Sequence, residues 1–184
     1  MDTVSFTAMA DGTKEEYTFL ATKEAEEAQL LPSRILDLLR SMDEDSGYQI
    51  TRLEHSLQSA TRAHRDGRNE DYVVMCLAHD VGDMISPANH SQAAASVLRP
   101  YVSDELYWIV LHHGIFQGYY YFHHLGQDRN VRDQYKDHPL YDATAEFCAK
   151  YDQNCFDPAY QSEPLDFFAP MVERVFTRAP KSYV

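Results

Sequence analysis

The sequence predicts an all-α protein, and three observations carry that prediction. Apolar residues recur at three- and four-residue spacing along most of the chain, and residues that cap helix starts stand just before those runs. Strand-like alternation is nearly absent outside the short stretch TVSFTAM near the start.

Thr13-Lys14-Glu15-Glu16 is a T-x-x-E capping box and opens a first helix to about residue 28. Pro32-Ser33 starts a second, through Ile35, Leu36, Leu38 and Leu39. A third runs from about Tyr48 to His64, with Ile50, Leu53, Leu57 and Ala60 on one face and Gly67 as a stop. Asn69 caps a fourth through Tyr72, Val73, Met75, Cys76 and Leu77, which carries His79 and Asp80. His90 lies early in a fifth, ended near Pro100, and Ser103 caps DELYWIVLHHG, stopped at Gly114. After a tyrosine-rich loop, residues 140–153 and 164–178 read as the last helices.

With 184 residues, 44% of them apolar, and no repeat or linker, the chain is expected to form one domain, 1–184. A formal charge of -13 would repel nucleic acid and anionic membrane; it suits bound metal cations or a small cationic substrate, and equally simple solubility. The start lacks a signal peptide and no run reaches membrane-span length. Three cysteines without a zinc-type double CxxC suit reduced thiols, so a cytoplasmic protein is expected.

The stretch CLAHDVGD places an aspartate in an apolar run, where an ionised carboxylate needs a partner. His55, His79, Asp80, His90, one of His112 and His113, and Asp152 supply the donors that suit iron or manganese. Adjacent helical residues diverge by roughly 100°, so His79 can serve one metal while Asp80 bridges two. His113 fits better than His112, because Ile109 and Val110 then lie one turn behind it on the core side.

The pattern H…HD…D resembles the HD-domain superfamily, an all-helical bundle best known for metal-dependent phosphohydrolases, and the match covers 44–153. The two histidines between HD and the last Asp mark its dinuclear members. RLEHSLQSA around His55 resembles the mixed-valence oxygenases that cleave 1-hydroxyphosphonates, and KYDQ around Asp152 is similar to those and to myo-inositol oxygenase. The resemblance implies two iron ions, Fe(II)/Fe(III), with O2 as co-substrate. His55, His79, Asp80 and Asp152 would hold one iron, and His90 and His113 the other, with Asp80 shared. The implied reaction is C–P cleavage of a cationic 1-hydroxyphosphonate such as (R)-1-hydroxy-2-(trimethylammonio)ethylphosphonate, giving glycine betaine and phosphate. The alternative is an HD phosphohydrolase acting on a nucleotide or phosphomonoester.

Around these ligands, Asp80 and Asp83 are the carboxylates assigned to catalysis. Asp83 stands where many HD hydrolases carry a lysine, and suits a cationic head group better than a phosphodiester. Tyr119, in the expected loop with Tyr120, Tyr121 and Phe122, would offer that head group an aromatic wall. Glu44 and Tyr48 are the expected lid contacts, and His112 and Gln117 further substrate contacts. Arg129 and Arg132, followed by Lys136, are the expected cations for the phosphonate.

Overall fold

The computed structural model describes residues 2–181, and they fold as an all-α structure with eight α-helices and no strand among them. Helix α1 (Lys14–Ala28) opens on the capping box as expected: Thr13 accepts from the Glu16 amide, and Glu16 answers the Thr13 amide at 2.9 Å. TVSFTAM forms no strand; the chain there passes into a 3-10 turn at Met9–Asp11. No described segment offers that stretch a strand to pair with.

Helix α2 (Leu31–Ser41) carries Pro32 in its first turn, where a missing amide hydrogen does no harm. Helix α3 (Arg52–Arg65) begins four residues later than expected, because Thr51 and Glu54 form a second capping box. Helix α4 (Glu70–Ala78), capped by Asn69, buries every residue from Tyr72 to Ala78. A helix apolar on all sides belongs at the centre of a bundle. It ends one residue before the HD pair, so His79 and Asp80 lie at its C-terminal end, followed by a 3-10 turn at Val81–Met84.

Helix α5 (His90–Leu98) starts on His90 itself, and α6 (Asp104–Tyr121) is capped by Ser103. Gly114 does not stop α6. A Cβ there would lie 2.8 Å from Ser91 Oγ, so the glycine serves the close approach of α5. Tyr119, Tyr120 and Tyr121 are therefore helical and face different directions. Helix α7 (Tyr141–Phe147) widens into a π turn, Cys148–Asp152, and α8 (Leu165–Phe176) follows.

Helix α3 packs on α4, α5 on α6, and α6 on α7, while α8 covers α2 and α4. Leu39, Met75, Leu77, Leu98, Ile109, Phe116, Phe147 and Phe168 are fully buried between them. No helix among the described residues is long and apolar enough to cross a membrane.

Candidate metal centre

The ends and faces of α3 to α7 bring His55, His79, Asp80, His90, His113 and Asp152 to one place. His55 projects from α3, His79 and Asp80 from the end of α4, His90 from the first turn of α5, and His113 from mid-α6. Asp152 is delivered by the π turn, whose wider ring closes through Gln153 N–H donating to the Cys148 carbonyl at 3.0 Å. Such turns shift a side chain out of α-helical register and recur at functional sites.

The tautomers follow from the backbone. His55 Nδ1 lies 3.0 Å from the Cys155 carbonyl, His79 Nδ1 2.7 Å from that of Cys76, and His113 Nδ1 2.7 Å from that of Val110. A carbonyl only accepts, so each Nδ1 carries the hydrogen, and in the neutral ring each Nε2 is left as an acceptor. Yet His55 Nε2 and His79 Nε2 face each other at 3.2 Å, and so do His90 Nε2 and His113 Nε2. Two nitrogens about 2.1 Å from one ion and roughly 100° apart are separated by about that distance.

Asp80 divides its two oxygens between these pairs. Oδ2 lies 3.5 Å from His55 Nε2 and 3.6 Å from His79 Nε2, while Oδ1 lies 3.1 Å from His113 Nε2 and 3.6 Å from His90 Nε2. Asp152 Oδ1 joins the first pair, 3.5 Å from His55 Nε2, and its Oδ2 is buried with no hydrogen-bond partner. Ligand atoms of His55, His79 and Asp152 converge within 4.8 Å, as do those of His79, Asp80 and His113. Facing lone pairs and an orphaned carboxylate oxygen are costly without a cation, so the donor set fits metal ions.

Electrostatics agree. Burial alone would make Asp80 harder to ionise, but the imidazoles of His79, His113 and His55 outweigh it and hold its pKa well below the carboxylate range. Burial works against a charged His113, and Asp80 outweighs that effect, raising the imidazole to about 9. Burial lowers His79. A bound metal would displace these protons.

A cavity of about 490 Å³ opens onto the cluster. Gln117 lines it, but its amide nitrogen donates to Asp152 Oδ1 at 2.9 Å, so it orients a candidate metal ligand. Tyr48 lines the mouth, and Glu44 is exposed away from the lining. His112 lies outside the lining: it stacks on Trp108 with ring centroids 3.7 Å apart and gives its Nδ1 hydrogen to the Trp108 carbonyl. Tyr119 is also outside, with the guanidinium groups of Arg129 and Arg132 about it at 4.0 and 3.7 Å from its ring centre. The expected phosphonate cations are therefore not on the cavity wall. Asp83 is on it, but its carboxylate is already paired with Arg52.

Phe156 and Arg52 are the lining residues of most consequence that sequence reasoning missed. Phe156 stacks on His55 at 4.4 Å and meets Tyr48 at 4.9 Å, so the aromatic wall is built from Tyr48, Tyr120, Tyr121 and Phe156. Arg52 sits one turn before His55, and the R of RLEHSLQSA was its only signal. The three cysteines are buried and unpaired.

Residues 52–146, about half of the chain, match the HD domain family. No curated protein matches the chain.

Proposed function

The chain belongs to the HD domain family, whose members are usually metal-dependent enzymes, and from that premise we propose a di-iron oxygenase. Its reaction is the O2-dependent cleavage of the C–P bond in a 1-hydroxyphosphonate with a cationic head group. The observation that carries this reading is the division of Asp80, one oxygen toward His55 and His79 and the other toward His90 and His113. That arrangement suits a carboxylate shared by two metal ions.

The donor set argues for iron in mixed valence. Four neutral imidazoles and two carboxylates bring little negative charge, which favours keeping one ion ferrous. The RLEHSLQSA segment around His55 points to the same chemistry. An Fe(II)/Fe(III) pair held here would supply Lewis acidity toward the substrate's hydroxyl and phosphonate oxygens, and electrons for O2.

The protein's own groups bind and orient. Gln117 holds Asp152 in place, and its buried carbonyl oxygen, which has no partner, can accept from a substrate hydroxyl. Asp83 Oδ1, 3.7 Å from His90 Nδ1, favours a hydrogen on that nitrogen and leaves Nε2 as the ligand atom. Tyr48, Tyr121 and Phe156 offer ring faces to a methylated ammonium and cover the inner cavity from water.

The test is product formation with and without O2. Iron-loaded protein should release phosphate from (R)-1-hydroxy-2-(trimethylammonio)ethylphosphonate only with O2, form glycine betaine, and show a coupled spin-1/2 di-iron EPR signal that the substrate perturbs. Phosphate release that proceeds equally well under argon would instead identify a phosphohydrolase.

A further inference from the structure

Arg52 is the only lysine or arginine among the residues lining the cavity. It occupies the first position of α3, where the Thr51–Glu54 capping box fixes the backbone. Its guanidinium pairs with Asp83, whose side chain is 7% exposed while that of Arg52 is 39% exposed. A buried carboxylate from the turn after α4 thus holds a half-open arginine from α3 at the wall of the cavity that the His/Asp cluster also lines. The Arg52 guanidinium makes no other hydrogen bond among the described residues, so most of its five N–H donors remain available.

We propose that Arg52 determines specificity by binding the anionic end of the substrate, a phosphonate or phosphate group, and that Asp83 is the positioning residue that aims it. The assignment rests on the metal-dependent reading above. Asp80, Asp83 and Asp152 place three carboxylates around one cavity, and a dianion entering it meets their field. Bound metal ions answer Asp80 and Asp152; Arg52 answers Asp83 and has donors to spare. A planar guanidinium can give one edge to a carboxylate and another to two phosphonate oxygens, which an ammonium cannot do with the same geometry. The pairing also changes what Asp83 does. Its charge is matched inside the protein, so a cationic head group is left to the aromatic faces.

Calorimetric titration of the iron-loaded protein under argon tests this, with inorganic phosphate and 1-hydroxyethylphosphonate as probes and iron content measured alongside. Arg52→Gln should bind both anions at least ~10-fold more weakly, the loss of a charge-assisted pair of hydrogen bonds, and keep its iron. Arg52→Lys retains the charge and should fall between the two; it carries the test if Arg52→Gln does not fold. Wild-type affinity for both anions in either variant would overturn the assignment. Binding that depends on Arg52 in a protein that consumes no O2 would leave the assignment standing and remove the oxygenase reading. Unchanged anion affinity in an Arg52→Gln enzyme that still turns over would do the reverse.

Discussion

His55 and His79 point their Nε2 atoms at each other across 3.2 Å, each held there by a backbone carbonyl at its other nitrogen. With both rings neutral the two lone pairs repel, and a shared proton or a metal ion between them removes that repulsion, so a metal held here links binding to folding. Stripping the metal with a chelator should lower Tm, and re-adding Fe(II) should restore it. At about 100-fold excess over Kd the gain is about 2.7 kcal/mol. His79→Ala should abolish the metal-dependent part of Tm. A melting temperature indifferent to chelator would remove the metal centre.

Part of this candidate centre is legible in the sequence: His55 and His113 sit at helix positions that apolar periodicity identifies, whereas Asp80 and Asp152 lie in turns and stand out only through the H…HD…D resemblance. Thr13, Asn69 and Ser103 cap the helices expected of them. Other features depend on partners far along the chain. Gly114 looks like a helix stop, and only the approach of Ser91 explains it as a contact inside α6. Thr51-x-x-Glu54 was readable as a capping box, but Ile50 extends the helical stripe and drew the start of α3 too early. Arg52 and Asp83 meet across 31 residues of sequence, and no local pattern reports that contact.

Substitutions along the bridge should separate the two metal positions. Asp80→Ala removes oxygens from both and should leave less than about one iron per chain. His113→Ala should lose about one iron while retaining the one near His55 and His79. His112→Ala should keep both, at a stability cost of about 1 kcal/mol for the lost stacking on Trp108. Metal analysis of the three proteins decides, and loss of iron from His112→Ala would move the ligand role to that residue.

Gly82, the glycine of HDVGD, is there for a steric reason. A Cβ on it would fall 2.0 Å from the His90 carbonyl oxygen, a backbone atom that cannot swing aside. Gly82→Ala should push α5 outward, cost about 1–3 kcal/mol, and weaken binding at the proposed His90–His113 metal position. Urea denaturation gives the first effect and iron stoichiometry the second. A variant with wild-type stability and full iron would contradict the packing.

A pH effect is expected away from the metal. Glu16 is held at about 2 by hydrogen bonds from the Thr13 and Ser5 backbone amides and the Ser5 hydroxyl. Its folded pKa lies below the ordinary value of 4.5, so its contribution is complete above that value and lost as pH falls toward 2. Glu16→Gln should therefore be less stable than wild type at pH 7, and the difference should shrink steadily below about pH 4.5. Paired thermal melts in chelator, to subtract the metal, measure it; a gap constant with pH would exclude ionisation as the cause.

The last expectation concerns the head group of the proposed substrate. A trimethylammonium donates no hydrogen bond and is recognised by ring faces and field, whereas a primary ammonium needs directed acceptors to replace its water. Asp83 is matched by Arg52, so the discrimination falls to Tyr48, Tyr121 and Phe156 on the cavity wall. Cation–π contacts together worth about 2 kcal/mol or more when desolvated predict kcat/KM at least ~10-fold higher for the trimethylammonio substrate than for its primary-amine analogue. Tyr121 is the wall residue to remove: it is 44% exposed, so Tyr121→Leu leaves the core undisturbed. That variant should lower kcat/KM for the trimethylammonio substrate and leave the amine nearly unchanged, narrowing the ratio. Phe156 is less suitable, because its ring also stacks on the ligand His55. An equal loss on both substrates would mean that Tyr121 shapes the cavity without reading the cation, and equal efficiency of wild type on both amines would exclude the aromatic wall as a selector.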